Sequence, residues 1–245
     1  MCGPQLGSIR TSKLEDEDLF TVKHPPQMKY FSQFGQDYWV MDQMFPNLRG
    51  GYFVDVGAYH MSNGYMSYTL ALERQRDWTG LLIEPNTALC GPLRSRKASL
   101  INSVVSSGGE TLQFQFGDRG CTSKIVASGG VSVPTETLTC ILDRMKAPLQ
   151  IELLSIDVEG HEFDVIKGID LQRYRFGCII IEANSQKAKI VSHLGKNRYH
   201  FIEQFGVDLY FSAVEAFPKR PSELASDWEH KPDRAKPIHP AISPE

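Results

Sequence analysis

Five short, mostly apolar runs constrain this chain more than any other feature. They span residues 51–56, 80–84, 99–105, 151–157 and 178–182. Runs of this length without strict alternation fit strands buried on both faces, as in parallel sheets. Helical patterns lie between them at 67–76, 89–96 and 162–168. The order βαβαβ predicts an α/β fold built on a mostly parallel, doubly wound sheet. Two stretches depart from the alternation. Residues 110–134, punctuated by Gly117, Gly120, Gly129 and Gly130, read as an inserted β-hairpin ahead of a helix at 137–145. Residues 199–203 and 207–211 flank Gln204-Phe205-Gly206 and read as an antiparallel C-terminal hairpin.

The remaining chain fits one domain with two tails. Residues 1–29 are polar, with acids from Glu15 to Asp18 and prolines at 25 and 26, and read as a flexible arm. Residues 30–215 carry the alternating pattern. Residues 216–245 hold six prolines among charges, which excludes a regular helix or central strand and predicts an extended tail. The net charge of -3 offers no basic surplus for nucleic acid or an anionic membrane. Five cysteines, none spaced C-x-x-C, argue against a disulfide framework or zinc site and for a reducing compartment such as the cytoplasm. No run of about 18 apolar residues predicts a transmembrane helix.

Four of the apolar runs end in residues that can do chemistry. The first leads into Asp55-Val56-Gly57-Ala58. Glycine there permits a tight turn and a close ligand approach. The three-glycine dinucleotide fingerprint is missing, because 58–62 contains no glycine. The second ends in Glu84-Pro85-Asn86, where an acid can accept hydrogen bonds from ribose hydroxyls. The fourth runs into Asp157, Glu159, His161 and Glu162. His161 can serve as a general base, and the same group could hold a divalent cation, although no metal is assigned. The fifth ends in Glu182, placed to face a substrate. Upstream, Ser32 is positioned to N-cap a helix, with Gln33 and Gln36 able to lean over a ligand. No Walker loop and no G-x-S-x-G elbow occurs.

In order, these blocks resemble the FkbM family of S-adenosylmethionine-dependent methyltransferases. The matching segments are Ser32-Gln33-Phe34-Gly35-Gln36-Asp37, Phe53-Val54-Asp55-Val56-Gly57-Ala58, a block from Ser67 to Glu73, and Trp78 to Asn86. Leu154 to Glu162 and Ile180-Ile181-Glu182 follow, so the resemblance covers about residues 30–213. The chain departs from the family pattern at Tyr59-His60-Met61 and at Tyr68. The resemblance implies a Rossmann-like methyltransferase fold and S-adenosylmethionine as cofactor. It implies transfer to a hydroxyl of a small molecule or sugar. By motif position, Asp55, Gly57 and Ala58 line the methionine end, Glu84 with Pro85 and Asn86 binds the ribose, Asn102 and Ser103 border the adenine, and Asp157 faces the sulfonium side. The catalytic candidates are His161, Asp157 and Glu182. Relatives of the Star type imply an alternative, a non-catalytic interaction module on the same fold. The acceptor and the oligomeric state are not readable from the sequence.

Overall fold

The computed structural model describes residues 30–117, 123–183, 186–213 and 222–223. The expected arm at 1–29 lies outside the described residues. So does the tail at 216–245, apart from Ser222 and Glu223.

In chain order, α1 (Gln36–Tyr38) runs into a π-helical turn (Trp39–Met44), followed by β1 (Tyr52–Val56), α2 (Leu70–Arg76) and β2 (Thr79–Ile83). A single 3-10 turn (Leu93–Ser95) precedes β3 (Ser99–Ile101) and β4 (Val104–Val105). Next come β5 (Thr111–Gln115), β6 (Lys124–Val126), β7 (Val131–Glu136) and α3 (Leu138–Arg144). The chain continues through β8 (Gln150–Ile156), α4 (Glu162–Lys167), β9 (Arg175–Glu182) and α5 (Lys187–Lys196). It closes with β10 (His200–Phe205) and β11 (Asp208–Ser212).

The result is a mixed α/β molecule with one large sheet. Its seven strands run in the order β10-β11-β9-β8-β1-β2-β3. β1 pairs in parallel with β2 and β8, with Asp55 opposite Leu82 and Ser155. β11 runs antiparallel to both β9 and β10. Both faces of the sheet are covered. Val54, Leu81, Leu154 and Ile179 pack with Leu138 and Ile141 of α3 and Val165 of α4. Phe53, Leu82, Leu153 and Ile180 pack with Trp39, Met41, Leu70 and Leu72. Each such buried side chain stabilises the fold by about 1.5–3 kcal/mol, which is why the runs are apolar on both faces. Among the described residues, no helix is long and apolar enough to cross a membrane.

Several expectations need correction. The run 99–105 is two strands, since the chain turns at Asn102-Ser103 and sends β4 into a different sheet. That second sheet has four strands, in the order β4-β7-β5-β6, so the insert is larger than a hairpin. The helix expected at 89–96 shrinks to the single 3-10 turn. Gly91 and Pro92 explain this, one lacking helix propensity and the other a backbone donor. Ser32 does not hold the N-cap position of α1, which Gly35 takes at φ 79, but its hydroxyl accepts the first-turn amide of Asp37 at 3.3 Å and donates to the Asp37 carboxylate. The helix expected from residue 67 starts at Leu70, where the Ser67 hydroxyl accepts the Leu70 amide at 3.0 Å. Helix α5 was not anticipated from the sequence.

Candidate active site

Strand periodicity brings the acids together. Successive side chains alternate between faces, so Asp55 shares a face with Phe53, and Glu182 with Ile180. β2 and β8 each stop one residue before an acid, Glu84 and Asp157. From β1 the sheet grows one way through β2 and β3 and the other way through β8 and β9. Ligands in open α/β sheets bind at such a switch, outside the carboxyl ends of the strands.

Gly57 is the hinge of this edge. It has φ 84, and a Cβ there would fall on the backbone carbonyl oxygen of Asp157. Across the same gap the Asp157 amide donates to Val56 O at 2.9 Å. The Gly57 and Ala58 amides both donate to Ile83 O, at 2.9 and 3.1 Å. No helix follows this turn directly. A loop runs to Thr69 before α2 begins, so the turn presents no free helix N-terminus.

Two clefts adjoin at Gly57, Asp157 and Glu159. The first is polar, lined also by Gln33, Asp55, Tyr59, Met66 and Tyr68. Burial pushes the Asp55 carboxyl up to about 6. The Thr69 hydroxyl, donating to Asp55 Oδ2 at 2.8 Å, and the Arg96 charge oppose that rise. Burial and the nearby Glu182 and Glu159 charges raise Asp157 well above the ordinary carboxylate range. Burial likewise lifts Glu159 and Asp208 to about 7. Asp208 accepts from Gln36 Nε2 at 2.7 Å. Oxygens of Asp157, Glu159 and Glu182 lie within 4.8 Å of one another, close enough to share protons or a cation. Glu159 (φ 57) and Gly160 (φ 104) form a left-handed turn beside this group. Strained turns of this kind cluster at functional sites.

The second cleft is walled by Val104 and Val105 of β4, Ile83, Pro85, Val158, and Phe114 and Ile125 of the inserted sheet. Glu84 also lines it and is buried, 5% exposed. Burial raises its carboxyl to about 7, although the Asn86 amide donates to it at 2.6 Å. His161 lines this cleft, not the first. Its Nε2 lies 3.0 Å from Ser106 Oγ, and that hydroxyl donates to Glu110 Oε1 at 2.5 Å. Ser106 has one hydroxyl hydrogen, so the network assigns the imidazole proton to Nε2. Nδ1 faces Asp164 Oδ2 at 3.5 Å. Burial lowers the affinity of His161 for a second proton.

The sequence candidates therefore divide. Gln33, Asp55, Gly57, Glu84, Pro85, Ser103, Asp157 and His161 all line a cleft. Glu182 reaches the acid group beside the first. Four candidates have packing or bridging positions instead. Ala58 is buried in the core. Gln36 is fully buried against Asp208. Asn86 pins the insert by donating to Gly117 O at 2.7 Å and Ser123 Oγ at 3.1 Å. Asn102 donates to the Glu84 carbonyl at 2.9 Å. Tyr59, Met66, Tyr68, Phe114 and Ile125 were missed. The first three sit in an irregular loop and the last two in the insert, where no periodic signal marks a ligand contact.

The family model described as "Methyltransferase FkbM domain" matches residues 55–209, more than half of the chain. No curated protein and no solved structure matches.

Proposed function

The chain belongs to the FkbM methyltransferase family, and from that premise we propose that it is an S-adenosylmethionine-dependent methyltransferase acting on a hydroxyl of a small molecule or sugar. The observation that carries the proposal is the pair of clefts meeting at Gly57, one lined by Asp55 with Asp157 and Glu159, the other more apolar and lined also by Glu84. That division matches the two ends of the cofactor. Asp55 would hold the ammonium of the methionine end, Glu84 would take the ribose hydroxyls, and Val104, Val105, Phe114 and Ile125 would flank the adenine. Gly57 is shared by both clefts, and its missing Cβ lets the Asp157 main chain close on β1 there. On this proposal the sheet order is that of a Rossmann-like methyltransferase, and 30–215 is a single catalytic domain.

When bound, the cofactor supplies a methyl group on a positively charged sulfur, an activated leaving group. The chain's own residues contribute positioning and a proton acceptor. We assign the acceptor role to the Asp157–Glu182 pair, ahead of His161. Asp157 lines both clefts, whereas His161 lines only the second and its Nε2 is engaged with Ser106. This pair would take the proton of the acceptor hydroxyl, while the bound cofactor would supply the methyl group and its sulfur would serve as the leaving group.

The test is release of S-adenosylhomocysteine from S-adenosylmethionine across a panel of polyols, sugars and amines. Turnover with hydroxyl compounds, lost in Asp157→Asn, supports the proposal. Methylation confined to amines overturns the assignment to oxygen, and binding with no turnover on any acceptor overturns the enzymatic assignment.

A further inference from the structure

A buried charge pair stands behind the first cleft without touching it. Arg96 Nε meets Glu73 Oε2 at 3.0 Å, with the two side chains 3% and 5% exposed. Glu73 lies on α2, and Arg96 immediately follows the 3-10 turn before β3. Glu73 also accepts the Lys97 amide at 2.8 Å, so the pair clamps helix α2 to the lead-in of β3. Buried pairs of this kind survive only where their remaining donors and acceptors are also used. Arg96 uses its own. Nη2 donates to Thr69 Oγ1 at 3.1 Å, and Nη1 reaches Ser67 Oγ at 3.4 Å. Ser67 Oγ in turn accepts the Thr69 and Leu70 amides, at 3.3 and 3.0 Å.

Thr69 is the link to the cleft. Its single hydroxyl hydrogen goes to Asp55 Oδ2 at 2.8 Å, and its oxygen accepts from Arg96. An arginine donor on that oxygen fixes which way the hydroxyl hydrogen points. We infer that Thr69, oriented by the Arg96–Glu73 pair, is a positioning residue that holds the Asp55 carboxylate aimed into the first cleft. This rests on the assignment of Asp55 to the cofactor's ammonium. It adds a reason for Thr69, Glu73 and Arg96 to occur together, although none of them lines the cleft.

The inference has a pH signature, because only ionised Asp55 attracts an ammonium. The charged and titratable groups around Asp55 and its supports are His60, Glu73, Arg74 and Arg96. Across the cleft stand Tyr59, Tyr68, Asp157 and Glu159. The Thr69 hydrogen bond lowers the Asp55 carboxyl, so its loss moves the ionisation to higher pH. Glu84 titrates near 7 in the other cleft, and its effect persists in every Thr69 variant.

The experiment is calorimetric titration of the full chain with S-adenosylhomocysteine from pH 5 to 9, with thermal melts confirming that each variant is folded. In the wild type, affinity rises as pH passes through about 6. Thr69→Val shifts that rise upward and weakens binding at pH 6.5 about ten-fold, equivalent to about 1.4 kcal/mol. Thr69→Ser, which keeps the hydroxyl, restores the wild-type profile. Arg96→Lys keeps the charge, loses the fork and shifts the profile in the same direction. Asp55→Asn lacks the rise near pH 6 and keeps only the one that Glu84 contributes near 7. Wild-type affinity and profile in Thr69→Val, with Asp55→Asn impaired, overturn the positioning role alone. A wild type that binds no ligand at any pH overturns the cofactor assignment beneath it.

Discussion

Replacing Gly57 with alanine separates two costs that the structure makes distinct. The first is conformational. At φ 84 an L-residue loses roughly 1–2 kcal/mol relative to glycine. The second is steric, since the new Cβ meets the Asp157 carbonyl oxygen, which is main chain and cannot swing aside. Relieving that overlap pushes β1 and β8 apart where Asp157 N bonds Val56 O at 2.9 Å. Overpacking of this kind adds about 1–3 kcal/mol. The sum is about 2–5 kcal/mol, or a fall in Tm of about 4–20 °C for a domain of this size. Two controls divide the terms. Gly160→Ala has positive φ but open space around the Cβ, so it incurs the conformational cost alone. Gly91→Ala has neither problem and stays within about 0.5 kcal/mol of the wild type. Thermal melts rank the three, and S-adenosylhomocysteine titration of folded Gly57→Ala reads the site. A Gly57→Ala protein that melts with Gly91→Ala and binds normally refutes the reasoning.

Other perturbations follow from the same geometry. Glu84→Gln weakens S-adenosylhomocysteine about ten-fold at pH 8. The deficit shrinks at pH 6, where burial already keeps the wild-type carboxyl largely protonated; calorimetry at both pH values checks this. Asp208 has its carboxyl raised from 3.8 to about 7, mainly by burial. The stability this group contributes is fully present below pH 3.8 and lost as pH rises through about 7. Asp208→Asn therefore raises Tm relative to wild type more at pH 8 than at pH 5.5, and an equal difference at both pH values contradicts the burial argument. His161→Ala leaves kcat within about two-fold, whereas Asp157→Asn lowers it about a hundred-fold or more, once an acceptor is in hand. Equal losses in the two variants would return the base role to His161.

The sheet core was legible because burial on both faces writes continuous apolar runs. Residues 51–56 and 151–157 fall within a residue or two of β1 and β8. Glu84, Asp157 and Glu182 were legible for the same reason, as each stands where an apolar strand stops. What escaped depends on contacts distant in sequence. Nothing local in Val104-Val105 shows that it leaves the main sheet to pair with β7, since the pairing partners Thr135 and Glu136 lie at the far end of the insert. Arg96 looked like the end of a helix, and its partner Glu73 is 23 residues away with no periodic relation to it. His161 shows a different limit. Its residue type and neighbours suit a base, but Ser106 and Glu110, which decide its proton, are brought to it only by the fold. Asn86 and Asn102 stand beside the cleft-lining Pro85 and Ser103 in sequence, yet their side chains turn to the insert and to the Glu84 carbonyl.

The central claim is that the crevice at Gly57 receives S-adenosylmethionine through Asp55 on one side and Glu84 on the other. Calorimetric titration of the full chain with S-adenosylhomocysteine at pH 8, beside the Asp55→Asn, Glu84→Gln and doubly substituted proteins, tests it most directly. The predicted result is one site per chain, weakened by each single substitution and abolished by both together. No heat from the folded wild type, or wild-type affinity in the double variant, would contradict it.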